Sequence, residues 1–501
     1  MTGHERPDGA ARAVREGDAR ASAVRGAADA RAGTDAPERA TDAPDRPAPD
    51  VPRRSPGGAQ REGPPFAPAV PATRRRHFRS PLRAELTRWF GPVVGATVLV
   101  TLLLAMADKA ELWLTTWMST ADHLRTAGLL VGGPLTAAAA CWQGGRERRR
   151  GTTDLLATMP RTPLRRALVA AAPTILWPVA GYLLTTAVCL VATWRYASYG
   201  HPWPSLIAAD ATTLGALGVL GFLAGRVIPW RLAPPLVAVG TYLTLGLPGY
   251  SESAITWLSP VLEESFFGDR PLWWCAPVSM IWTAGLAGAA LLAYAARRRV
   301  TALVPLAAAA TAAALLLTQL GTDGPWRPDP AASALVCDDG TPQVCASRVH
   351  TRMLPGASAA LAGLSAKLRG VPNAPARVVE RDTSAARGTD AQVSGWDVYF
   401  RLNRITEPEL FAHNAAVDTA APNSCPAPGA HTRADDISTA VTDWLAPMPV
   451  WDDPLPGPPP PPLYAHTLTR LRTMPEPERT RWLGNYLAAA RSCHLKRVTA
   501  P

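Results

Sequence analysis

Four cysteines, Cys337, Cys345, Cys425 and Cys493, crowd into the last third of the chain, and thiols placed so can close disulfides or hold a soft metal. There is no CxxC pair and the spacings are irregular, which favours two disulfides in an oxidising compartment over a zinc site. Of the three possible pairings, Cys337 with Cys345 is favoured. The run from Val336 to Cys345 reads as two short strands around an Asp-Gly turn, leaving Cys425 for Cys493. One more group could do chemistry. Asp210 lies inside an apolar stretch, where a carboxylate is by default a functional hypothesis. It sits about one turn from the end of that stretch, so an interfacial, solvated carboxylate is expected.

Other chemistry is excluded by the residues themselves. A phosphate-binding Walker A loop needs lysine after glycine, and Lys109, Lys367 and Lys496 are the only lysines, none following a glycine. The nine histidines include no pair four apart, which removes an HExxH helix, and neither GxSxG nor SxxK occurs. No enzymatic activity and no cofactor are expected. The acidic pairs Asp435-Asp436 and Asp452-Asp453 are expected to be solvated surface.

The elements that would carry these groups follow from composition. Residues 1–80 have no aromatic before Phe66, are dense in Arg, Asp, Ala, Pro and Gly, and are expected to form a disordered tail. Stretches able to cross about 30 Å of hydrocarbon lie near 90–107, 127–142, 167–192, 206–225, 232–249, 275–296 and 300–320. The expectation is an α-helical polytopic membrane protein with about seven transmembrane helices over 81–320, followed by a small α+β extracytoplasmic domain over 321–501. Strands are expected near 376–380 and 396–402, and helices near 357–368, 434–444 and 476–492. Pro458 to Pro462 read as a stiff spacer.

Charge sets the orientation. Arg146, Arg148, Arg149, Arg150, Arg161, Arg165 and Arg166, then Arg226 and Arg231, then Arg297, Arg298 and Arg299 fall in loops on one face. The opposite loops carry Asp108, Glu111, Asp122, Glu252, Glu263, Glu264 and Asp269 against Lys109, Arg125, Arg195 and Arg270. The positive-inside rule then places the N-terminus in the cytoplasm of a cell that inserts the protein in its plasma membrane, and the C-terminal domain outside. The net charge of +11 is topological, and no nucleic-acid partner is implied.

The most specific stretch runs from Gly145 to Pro163. Gly151 breaks a basic helix, Thr152 or Thr153 can cap a new one, Asp154 suits its first turn, and Leu155, Leu156 and Met159 give it an apolar face. Pro160 stops it, while Thr162 and Pro163 open the next helix. This resembles the loop after the second helix of ABC-2-type transporter permeases, with the matching positions at Glu147-Arg148, Gly151-Thr152, Asp154, Leu155 or Leu156, Pro160 and Thr162. The amphipathic segment 81–90 and the apolar, aromatic 250–274 are similar to that family's interfacial and re-entrant helices. The resemblance implies a permease subunit of an exporter, a homodimer or heterodimer in the bilayer, driven by a separate ATPase subunit that contacts this loop. Its alternative is a non-transporting membrane sensor whose exported domain binds an envelope component.

Overall fold

A computed structural model describes residues 81–151, 162–251, 253–261, 268–321, 324–381, 390–393, 396–421, 432–448, 459–495 and 498–501. All of these belong to one unit, His77–Pro501. The expected disordered tail lies outside them, as do Thr152, Asp154, Leu155, Leu156, Met159 and Pro160.

Long runs of Leu, Ala and Val build the first part. After α1 (Pro81–Leu86) come α2 (Phe90–Asp108), α3 (Trp117–Gly144), α4 (Pro163–Trp194), α5 (Pro204–Val227), α6 (Ala233–Gly246), α7 (Cys275–Ala295) and α8 (Arg299–Gln319). Among the described residues, six of these (α2–α5, α7 and α8) are long and apolar enough to cross a membrane. Their outward faces suit one. Only 17% of the best apolar window of α8 is buried, and Leu104, Val191 and Val304 are among the exposed side chains, a surface too apolar to face water.

The fifth expected crossing differs. Its α-helix has 14 residues, about 21 Å at 1.5 Å per residue, and Pro248 follows in a 3-10 turn over Leu247–Tyr250. Leu245, near the end of α6, meets Leu129 halfway along α3. A second 3-10 segment, Ala254–Leu258, carries the chain on until the Trp257 indole donates to the Gly321 carbonyl (2.9 Å) just past α8. The expected re-entrant helices of 250–274 are replaced, among the described residues, by this segment and by strand β1 (Asp269–Pro271), which pairs antiparallel with β2 (Trp326–Pro328).

Helix packing relies on small residues, as it must where lipid offers no hydrophobic driving force. A Cβ on Gly221 or Gly225 of α5 would lie 2.3 Å from the Ala137 carbonyl oxygen or 1.9 Å from that of Cys141, so α3 and α5 touch backbone to backbone. Gly95 and Gly181 bring α2 and α4 together in the same way.

The C-terminal part is built on a four-stranded sheet in the order β3 (Leu335–Cys337), β4 (Gln343–Ser347), β5 (Arg377–Glu380), β6 (Ala391–Val393). The first pair is antiparallel and the next two are parallel. Helices α9 (Leu354–Leu368), α10 (Pro408–Ala420), α11 (Arg433–Leu445), α12 (Pro462–Thr473) and α13 (Glu476–Arg491) accompany it, and its core gathers Leu361, Leu364, Trp396, Phe400, Phe411 and Tyr486. The expected strand at 396–402 is a helical turn, Trp396–Tyr399, followed by the two-residue strand Phe400–Arg401. Trp396 stacks on Phe400 with ring centroids 5.8 Å apart, a contact four residues along the chain that an extended strand cannot make. Asp435 is no loose surface acid: it completes a capping box with Thr432 at the start of α11. Helices α10 and α12, absent from the expectation, each begin at a proline, Pro408 and Pro462.

Cys337 and Cys345 are directly opposite on β3 and β4 and form a disulfide. Cys493 is also disulfide-bonded, while Cys425, its expected partner, lies outside the described residues. Cys141, Cys189 and Cys275 are buried.

Candidate functional site

Three places hold the polar residues that the apolar helices must position. The first is the arginine-rich end. Helix α3 stops at Gly144, a short turn of helix spans Arg146–Arg149, and Gly151 takes φ +61°, a conformation that suits glycine and ends that turn. At the far side of the loop the Thr162 side chain accepts from the Arg165 amide and Pro163 opens α4. Two residues expected to face a partner are engaged within the chain. Glu147 forms a two-pronged ion pair with Arg226, and Arg148 donates to the carbonyls of Gly225 (3.1 Å) and Arg226 (2.5 Å), satisfying the C-terminal end of α5. Arg146 reaches Glu85 of α1 (3.2 Å).

The second place is inside the helix bundle. Asp210 of α5 is 3% exposed, which corrects the expectation of a solvated carboxylate. Its Oδ1 accepts from Arg125 Nε at 2.8 Å and its Oδ2 from the Tyr182 hydroxyl at 2.9 Å. Hydropathy places Arg125 in an outer loop, but α3 begins at Trp117, ten residues before the expected span, and takes Asp122 and Arg125 inside the helix. A basic and an acidic residue at matching depth from the same end were the available signal. Directly after Arg125 the helix widens to a π-helical turn, Ala127–Val131, and Gly128 admits the Tyr182 ring, which a Cβ there would meet at 2.7 Å. A helical wide turn beside a buried ion pair is a recurrent mark of a working site.

The third place is the opposite end, where the C-terminal part seats on the ends of α2, α4 and α7. The Arg352 amide donates to Ser198 Oγ (3.2 Å), its guanidinium to the Arg195 carbonyl, and Asn403 to the Tyr196 carbonyl (2.9 Å). Arg401 faces Glu111 at 3.8 Å. The arginine-rich loops and the sheet-containing part thus lie at opposite ends of the helices.

Within that part, Ser347, His350 and Glu380 meet. This is not a nucleophile triad: Ser347 Oγ (3.4 Å) and Glu380 Oε1 (2.5 Å) approach the same ring nitrogen, Nδ1, so the imidazole does not stand between them. Burial pushes the Glu380 carboxyl up, but the adjacent His350 and the donors of Ser347 outweigh it and hold the group below the usual carboxylate range. At Asp338 burial likewise acts upward, and hydrogen bonds from Ser358, Val344 and Gly340 pull the carboxyl down overall. A carboxyl depressed by folding adds stability above its unfolded value of about 4 and loses it as pH falls through the folded one. Thermal unfolding of this part should therefore shift to lower temperature in acid, below about pH 4.5. Asp338→Asn with Glu380→Gln should flatten that dependence; an unchanged slope would place the acid sensitivity elsewhere.

Among the described residues no group of His, Cys, Asp and Glu is arranged to hold a metal. Comparison of the chain with family models, with curated proteins and with solved structures finds no match. Fold and surface define its class by themselves: a helical membrane protein with a small sheet-containing region at its C-terminal end.

Proposed function

We propose that this chain is the membrane-spanning permease subunit of an exporter driven by a separate ATPase subunit. Its arginine-rich loops face the cytoplasm, its residues 321–501 stand outside the plasma membrane, and 151–162 is the segment on which the ATPase acts. One observation carries the reading. The segment that resembles a permease coupling loop starts at a left-handed glycine, Gly151, just past the turn Arg146–Arg149 that follows α3, and ends at the N-capping Thr162 of α4, at the end of the helices where arginine is concentrated. Glu147 and Arg148 serve in this scheme as the rigid base of the loop, because both are tied to the end of α5. Contact with the ATPase falls to Leu155, Leu156 and Met159.

The rival reading, a sensor without transport, draws on the docking of the C-terminal part onto the helix ends through Arg352, Asn403 and Arg401. Purification of the solubilised protein from its own cells separates the two. An ATPase that accompanies the native chain and is lost from Leu155→Asp/Leu156→Asp, with both inserted equally, supports the exporter. Its absence from both preparations supports the sensor.

A further inference from the structure

At the arginine-rich end, where α3 and α5 finish and α6 begins, the chain forms an open cavity of about 450 Å³. Its lining includes Trp142, Arg148, Arg149, Trp230 and Arg231 and, among the described residues, no acidic side chain. The volume far exceeds the roughly 30 Å³ share of one water. Glu147, the nearest acidic residue along the chain, is engaged by Arg226 and does not line the space. Arg149 is held in place: it lies over the Trp142 ring at 4.0 Å and donates to the Trp142 carbonyl (2.5 Å). Burial pushes its guanidinium down against the opposing effect of Cys141, and the neighbouring Arg148 and Arg150 add to the fall.

A second observation says what kind of anion fits. The rim of the cavity is formed by Ile228 to Arg231, flanked in the chain by Val227 and Leu232, and the apolar members Val227, Ile228, Trp230 and Leu232 of this run are all exposed, Trp230 and Leu232 each at 68%. It joins the ends of apolar helices, at the depth where tryptophan settles between hydrocarbon and water. A soluble phosphate would use the arginines and leave that rim uncovered. A lipid would use both.

We infer that this cavity is a binding site for the phosphate headgroup of an anionic phospholipid, whose acyl chains lie along the exposed apolar run of residues 227–232. Basic cavities between helix ends, beside an apolar surface, are suited to such headgroups. The site is independent of whether the protein transports anything.

The test uses the full chain in neutral detergent, titrated with phosphatidylglycerol or with phosphatidylcholine of the same acyl chains, and read by native mass spectrometry. Wild type should retain phosphatidylglycerol roughly tenfold better. Arg149→Glu/Arg231→Glu should lose that preference, and Arg149→Lys/Arg231→Lys should keep most of it. Arg297→Glu/Arg298→Glu, on the same face but away from the cavity, should keep all of it. Because Arg149 also packs on Trp142, Arg231→Glu alone provides a variant with fewer structural ties, expected to lose about half the logarithmic preference. Equal retention of the two lipids by wild type would overturn the assignment, as would persistence of the preference in both Glu variants. Inorganic phosphate is the remaining arm: displacement of the lipid by phosphate alone would make the cavity a soluble-anion site and overturn it too.

Discussion

Gly221→Ala/Gly225→Ala is expected to abolish recovery of a folded membrane domain, although each change adds a single methyl group. The new Cβ atoms would sit 2.3 Å from the Ala137 carbonyl oxygen and 1.9 Å from that of Cys141, far inside any contact a carbon can make. Neither obstacle is the flexible end of a side chain; both are backbone of α3, so relief requires the two helices to move apart along their whole seam. That seam includes Ala140, Phe222 and Leu223 of one buried cluster, together with the ties from Arg148 to the end of α5. Overpacking of a well-filled interior costs about 1–3 kcal/mol even where side chains can adjust. Here they cannot, and loss of several kcal/mol at each of two sites leaves little native protein. Gly240→Ala is the control, since a Cβ there meets nothing within 4 Å. Size-exclusion profiles in detergent should show a sharp native peak for Gly240→Ala and aggregate for the double variant. A native peak for both would mean that the α3–α5 seam is looser than its geometry.

The contrast between these glycines shows how far the sequence could be read. The apolar stretches announce themselves by length, and the helices at α2, α4, α5, α7 and α8 follow them closely because composition alone decides whether a segment prefers hydrocarbon. Which glycine touches a neighbour is a pairwise fact that no single stretch contains. The same holds for the ion pair. Asp210 stood out in the sequence as an intramembrane acid, but its partner Arg125 was hidden by a boundary error: Thr116, an effective N-cap accepting from the Ser119 amide, starts α3 in a polar stretch that hydropathy assigns to a loop. In the C-terminal part, the disulfide hairpin of Cys337 and Cys345 was legible from alternation and turn chemistry. The turn at Trp396–Tyr399 was not, since an aromatic and β-branched run favours a strand unless burial of Trp396 against Phe400 and Phe411 overrides it. The basic loop was recognised by its charges, whereas the internal duties of Glu147 and Arg148 appear only once α5 ends beside them.

Asp210→Leu alone is expected to destabilise the protein by about 3–5 kcal/mol, the usual cost of removing one member of a buried ion pair. The carboxylate accepts from both Arg125 and Tyr182 in a site 3% exposed, so its removal strips two buried donors of their acceptor at once. Arg125→Met/Asp210→Leu should recover most of that loss, because two apolar side chains of similar volume avoid the desolvation of two charges. A double-mutant cycle on the thermal midpoint in detergent measures the coupling. If Arg125→Met, Asp210→Leu and the double variant all unfold as wild type does, the pair contributes no specific attraction and the bundle is held by packing alone. The double variant has a further use. A buried pair that merely stabilised the bundle would be replaceable without functional cost, whereas one beside a π-helical turn, at the depth where α3, α4 and α5 converge, is placed to change partners when those helices move. On the proposed exporter reading, a double variant that is folded and inserted, yet inactive in the cell, would identify Arg125 and Asp210 as the moving contact; full activity would reduce them to a structural brace.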